Sequence, residues 1–256
     1  MCRAFGLSDQ GRVRKANEDA FACVEDLQLF VVADGMGGHN AGEVASQLAV
    51  EAIVAFVRRS SEGTEFSWPY GIDPQLSFDG NRLRTAINLA NRRVFRAAEE
   101  HDDYTGMGTT VVSALIAGGK LIVGHVGDSR LYLQTGSSLT QLTKDDSWAA
   151  TVLADELGGD RSALATHPMR NVLTNVLGAR EQTDIHLAEM PLRGNETLLL
   201  CTDGLHSAVD DAAIARILTP GGELASSAQA LVDAAIGGGS RDNITVLLVQ
   251  CDTGDA

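Results

Sequence analysis

Leu29-Phe30-Val31-Val32-Ala33-Asp34-Gly35-Met36-Gly37-Gly38-His39 runs five apolar residues into a carboxylate that is followed by three glycines in four positions. The apolar run reads as a buried strand with an acid at its end. Gly35, Gly37 and Gly38 lack the Cβ atoms that would hold a ligand off the backbone. Taken alone, an Asp-Gly is a strand running into a turn, but here the pattern recurs. Thr197-Leu198-Leu199-Leu200-Cys201-Thr202-Asp203-Gly204 is a second apolar strand delivering a second Asp-Gly. Asp19 and Asp242 have the opposite polarity, opening the strands Ala20–Val24 and Ile244–Val249.

Glu25-Asp26-Leu27-Gln28 is a polar connection that makes the first two strands a hairpin, with residue 24 facing 29 and Asp19 facing Asp34. If the strands ending at Asp203 and starting at Asp242 also pair antiparallel, those carboxylates come side by side as well. At ~4 Å and an effective dielectric of 20, each like-charge pair costs about 4 kcal/mol. Two divalent cations would cancel the four charges. Ligation by oxygen alone favours Mg²⁺ or Mn²⁺ over zinc. Two such ions can bridge a water, lower its pKa and clamp an in-line displacement at phosphorus, so the expected chemistry is phosphoryl hydrolysis.

The 256 residues are 44% hydrophobic, ample for a core, and a formal charge of −14 argues against nucleic acid or an anionic membrane as partner. The first twenty residues carry no apolar leader region, and no apolar run reaches membrane-spanning length. The expectation is a cytoplasmic monomer. Four cysteines, at 2, 23, 201 and 251, form no C-x-x-C pair and are expected to be reduced and mostly buried. None begins the Cys-x5-Arg loop of a thiol phosphatase.

Elsewhere, Arg14 stands five residues before Asp19, within reach of a phosphate held at the acids, although a surface arginine is the simpler reading. Amphipathic spacing predicts a helix over 43–59 and a second from Leu83 to Ala97, with Asp79 or Asn81 near its start. Between them, 60–80 reads as a loop. Residues 108–142 read as a meander interrupted by Gly127-Asp128-Ser129, where Asp128 is most simply a turn residue. A short helix to Leu157 and an irregular flap follow, then helices after Asp210 and over 224–236. Strands followed twice by helix pairs imply a layered α+β fold.

Asn17-Glu18-Asp19, Asp34-Gly35-Met36-Gly37-Gly38, Gly108-Thr109-Thr110, Gly127-Asp128-Ser129-Arg130, Cys201-Thr202-Asp203-Gly204 and Asp242-Asn243 occur in the order found in the type-2C, metal-dependent serine/threonine protein phosphatases. The chain resembles the bacterial branch from about Gly6 to Gln250. The resemblance implies a four-layer α-β-β-α sandwich, in which two central antiparallel sheets are flanked by pairs of antiparallel helices. It implies one catalytic domain over 1–256 with a flap at about 145–178. It implies Asp19, Asp34, the Gly35 carbonyl, Asp203 and Asp242 as ligands of two Mn²⁺ or Mg²⁺ ions, with Arg14 binding the substrate phosphate. Asp128 is expected to hold a third, weaker ion shared with Asp203.

Phosphoproteins are the implied partners, with a serine/threonine kinase the natural counterpart. The chain departs from many eukaryotic relatives at Met36, where they carry a histidine that acts as general acid. His39 is the nearest imidazole and the candidate replacement. A catalytically weak, phosphoprotein-binding relative is the main alternative, but it would be expected to lack one of the four aspartates. A Ca²⁺ loop of the Asp-x-Asp-x-Asp-Gly kind is absent.

Overall fold

The polar connection at 25–28 closes a hairpin in the register that its length dictates. In the computed structural model, which describes residues 2–38, 40–63, 67–155, 167, 169, 172–218 and 222–251, a first strand β1 (Cys2–Asp9) precedes the hairpin of β2 (Asp19–Val24) and β3 (Leu29–Met36). Asp19 stands opposite Asp34, and Val24 opposite Leu29. After helices α1 (Ala41–Glu62) and α2 (Phe78–Glu100) come β4 (Gly108–Thr109), β5 (Val111–Ala117), β6 (Lys120–Val126), β7 (Arg130–Thr135) and β8 (Ser138–Gln141). The chain continues through α3 (Trp148–Asp155), β9 (His186–Pro191), β10 (Glu196–Cys201), α4 (Asp203–His206), α5 (Asp211–Ile217), α6 (Leu224–Gly237) and β11 (Ile244–Cys251).

Two antiparallel sheets result, ordered β1-β11-β10-β7-β8 and β2-β3-β5-β6-β9, with β4 beside β3. Alternation along β3 shows how they stack. Leu29, Val31 and Ala33 pack against Ala45, Ala49 and Ile53 of α1, whereas Phe30 and Val32 meet Leu198, Leu200 and Leu247 of the other sheet. Burial on both faces is why this strand is apolar throughout rather than alternating. Leu199, Val246 and Leu248 turn outward onto α5 and α6. The layers are therefore helices, sheet, sheet, helices. Each fully buried Leu, Val or Phe in them contributes about 1.5–3 kcal/mol.

Several expectations are corrected. Neither β1 nor β9 is foreshadowed by the hydrophobic pattern. Both are edge strands, and Arg3, Asp9, His186 and Glu189 interrupt their apolar residues. α2 starts earlier than expected, capped by Ser77, whose hydroxyl accepts the Gly80 amide at 3.0 Å. Asn81 is instead buried and holds the preceding loop, accepting from Asp73 N at 2.7 Å and donating to Asp73 O at 2.9 Å. Cys2 and Cys251 face each other across β1 and β11 and form a disulfide. No local spacing can reveal a bridge spanning 249 residues, least of all one on an unforeseen strand. Of the two free thiols, Cys201 is buried but Cys23 is exposed, against expectation. Among the described residues, no helix is long and apolar enough to cross a membrane.

Candidate metal and phosphate site

Asp34 shares the strand parity of Phe30 and Val32, so its side chain points between the sheets, and Asp19 opposite it does the same. The facing sheet answers with hydroxyls. Thr245 Oγ1 donates to Asp19 Oδ2 at 2.6 Å, and Thr202 Oγ1 donates to the same oxygen at 3.0 Å. Both threonines are completely buried. Asn17 Nδ2 donates to Ser8 Oγ at 2.8 Å, and Ser8 Oγ lies 2.7 Å from Thr245 Oγ1, so a chain of hydroxyls from β1 orients Asp19. Asp34 is held through its backbone. Its amide donates to Thr110 Oγ1 at 3.1 Å, and its carbonyl accepts from Thr109 Oγ1 at 2.8 Å. Ser129 Oγ braces Thr110 from the Gly-Asp-Ser turn at 2.7 Å.

Gly35 is required by packing. Its amide donates to Glu18 O at 3.1 Å, and a Cβ there would collide with the Gly42 carbonyl in the first turn of α1. Asp203 begins α4, just beyond β10. The register that sets Cys201 opposite Val246 places residue 203 opposite 244, so Asp242 is offset by two residues rather than directly beside Asp203. Asp242 receives Arg14 Nη2 at 2.6 Å. Asn243 fixes the arm that carries Arg14: its Nδ2 donates to Gln10 O and Ala16 O, both at 2.9 Å, while its Oδ1 accepts from Glu18 N at 2.9 Å. The sequence reading missed Asn243, Thr202 and Thr245. The only signal for them is position, each adjoining or lying near a proposed ligand.

The electrostatics are those of anions crowded away from water. Burial pushes the Asp19 carboxyl up to about 7, partly offset by the two threonine hydroxyls. Asp34 is raised well above the usual range by burial and then by Asp19 and Asp203. Asp203 is pushed up to about 6 by burial and Asp242. Asp128, in the turn after β6, is raised to about 7 by burial and by Asp203. Asp128 is positioned through its carbonyl, 3.1 Å from His206 Nε2, and burial lowers that imidazole to about 4, so it is neutral and donates. The Arg14 guanidinium is raised by its hydrogen bond to Asp242.

Asp19 Oδ1 and Asp203 Oδ1 are buried and accept no hydrogen bond. Among the described residues, no three ligand groups are drawn together at metal spacing around one point. The donors are hard carboxylate oxygens, two of them orphaned, in a setting that disfavours bare negative charge. That donor set fits hard divalent cations.

His39 lies outside the described residues. The expected flap is described at its two feet, with 156–166, 168, 170 and 171 outside the described residues. Asp145 takes Arg130 Nε at 3.0 Å and Nη2 at 2.7 Å. Asp146 accepts from Gly127 N at 3.0 Å and from Asn175 Nδ2 at 2.9 Å, and it lies 2.9 Å from His186 Nε2. Both acids thus anchor the flap to the turn that carries Asp128.

A family model described as protein phosphatase 2C matches residues 11–235. The serine/threonine phosphatase stp of Listeria monocytogenes is 35% identical over 248 residues, covering 96% of this chain and 94% of the relative. The crystal structure of the Mycobacterium tuberculosis serine/threonine phosphatase PstP/Ppp superposes with a TM-score of 0.84 at 35% identity, covering 98% of this chain and 99% of that one. The PstP catalytic domain in complex with two manganese ions superposes with a TM-score of 0.81 at 34% identity, with 98% of each chain covered.

Proposed function

The chain belongs to the protein phosphatase 2C family, and from that premise we propose that it hydrolyses phosphoserine and phosphothreonine in proteins. Asp19, Asp34, the Gly35 carbonyl, Asp203 and Asp242 would hold two Mn²⁺ or Mg²⁺ ions, and Asp128 with Asp203 a weaker third. When bound, such ions supply Lewis acidity, balancing the carboxylates and acidifying water for attack at phosphorus. The protein's own residues set the geometry. Thr202 and Thr245 occupy one oxygen of Asp19 and leave the other free. Arg14, with its side chain 48% exposed beside Asp242, presents a guanidinium to an incoming phosphate. Asn243 keeps the Arg14 arm and the Asp19 strand in fixed relation. Residues 1–256 act as one catalytic domain on cytoplasmic phosphoproteins, as a monomer opposing a kinase.

The observation that carries this reading is that Asp19 Oδ1 and Asp203 Oδ1 are buried with no hydrogen-bond partner. Hydrolysis of p-nitrophenyl phosphate and of a phosphothreonine peptide is expected to vanish in EDTA and to return with Mn²⁺ or Mg²⁺. Full activity after exhaustive chelation would end the metal proposal, and peptide binding without turnover in Mn²⁺ would favour the binding relative instead. Arg14→Ala removes a charged hydrogen-bond donor worth about 1.5–3 kcal/mol. The KM for the phosphopeptide is expected to rise roughly 10- to 100-fold, with kcat falling less. Unchanged kinetics would return Arg14 to the role of a surface arginine.

A further inference from the structure

The chain carries a net charge of −14, yet α2 holds five arginines against three acids. Arg92, Arg93 and Arg96 share one helical face with Leu89 and Ala97, one turn apart. Together with Leu48 of α1 they line an open groove of about 510 Å³ on the outer side of the helix pair, with Glu100 at one end. Arg93 is paired with Glu51 at 2.8 Å, whereas among the described residues Arg92 and Arg96 have no ion-pair partner. The floor is apolar and the rim carries guanidinium groups, which grip carboxylates in bidentate fashion.

The groove belongs to the same end of the molecule as the carboxylates. Leu48 lies about 9 Å along α1 from Gly42, the residue packed on Gly35. On the α2 side, Asn91 accepts from Gly178 N at 2.8 Å and donates to Arg180 O and Glu181 O at 3.0 Å each, tying this stretch of helix to the second foot of the flap. An extended chain advances about 3.3–3.6 Å per residue, so the roughly 9 Å along α1 alone takes about three residues, and the path from the outer side of the helix pair to the carboxylates takes several.

We infer that this groove docks an acidic segment with an embedded apolar side chain, belonging to the phosphoprotein substrate and lying several residues from its phosphorylated side chain. The inference rests on the proposed phosphatase function and narrows its substrate class. Acidic flanks would be drawn to this cluster of guanidinium groups on a chain whose net charge is otherwise repelling.

The test uses phosphothreonine peptides carrying Glu-Glu-Leu-Glu six residues before or after the phosphothreonine, beside controls carrying Gln-Gln-Leu-Gln. With wild-type protein in Mn²⁺, at least one acidic placement is expected to give a KM about 10-fold below its control, with the gap closing in 0.5 M NaCl. The double variant Arg92→Glu/Arg96→Glu is expected to erase the gap while keeping kcat, p-nitrophenyl phosphate turnover and melting temperature. A fluorescein-labelled, unphosphorylated acidic peptide should bind the wild type but not the variant by anisotropy. Equal KM values for acidic and control peptides with wild type, or an advantage that survives in the variant, would overturn the docking proposal. Failure of the wild type to hydrolyse even the control peptides would strike the phosphatase reading, while the anisotropy still reports on the groove.

Discussion

Asp34→Asn is expected to lower kcat on a phosphothreonine peptide by about 10³-fold or more while raising the melting temperature of the metal-free protein at pH 8. The first effect follows from losing a buried carboxylate that feels the charges of all four neighbouring aspartates. Each 1.36 kcal/mol of lost transition-state stabilisation is tenfold in rate, and metal-centred charge stabilisation is worth several kcal/mol. The second effect has the opposite sign because Asp34 is destabilising without cations. Burial, and after it the charges of Asp19, Asp203, Asp128 and Asp242, raise its pKa well above the normal value. The folded state then binds more protons than the unfolded one, so its contribution to stability falls as pH rises above the unfolded value near 3.9. An amide of the same shape carries no charge to repel. A merely structural aspartate would behave the other way, with lower stability and retained turnover.

Asp128→Ala is expected to leave the two proposed tight metal sites and the fold intact, yet to lower kcat severely and to remove a millimolar-range Mn²⁺ dependence. One carboxylate and a share of Asp203 are too few ligands for tight binding, so such a site fills only at high concentration. The competing reading is a turn acid hydrogen-bonding the backbone. Hydrogen bonds that fix this turn run from Gly127 to Asp146, from His206 to the Asp128 carbonyl and between Ser129 and Thr110. The Asp128 carboxyl is raised by burial and then by Asp203 and Asp145, against the lowering effect of a hydrogen bond from its own backbone. Kinetic Mn²⁺ titration beside thermal melting separates the two readings. A lower melting point with normal kcat would assign Asp128 to the turn.

Much of the site is legible in the sequence because it hangs on one short connection. Once residues 25–28 are a turn, Asp19 must oppose Asp34, and the pairing forms in that register. The two Asp-Gly strands and the helix pairs are likewise written in local periodicity. What was illegible depends on how sheets stack and where their edges fall. Thr202 and Thr245 look like ordinary β-branched strand residues until the second sheet brings their hydroxyls onto Asp19. Asp203 and Asp242 are offset because β10 and β11 are joined by helices, so no tight turn sets their register. Edge strands β1 and β9 are only partly buried and so carry no strong apolar run, and with β1 unseen the Cys2–Cys251 bridge had no geometry from which to be read.

Calorimetric titration of MnCl₂ into EDTA-stripped protein, repeated in buffers of different ionisation enthalpy, tests the proposed metal centre most directly. Asp19, Asp128 and Asp203, with pKa values pushed up to about 6–7, and Asp34, raised well above the usual carboxylate range, take up protons that cations must displace. The expected result is close to two tightly bound ions per chain at pH 7.5, protons released on binding near pH 6.5, and affinity weakening as pH falls below 7. Absence of tight binding at pH 7.5, or binding that Asp34→Asn and Asp203→Asn leave unchanged, would contradict it.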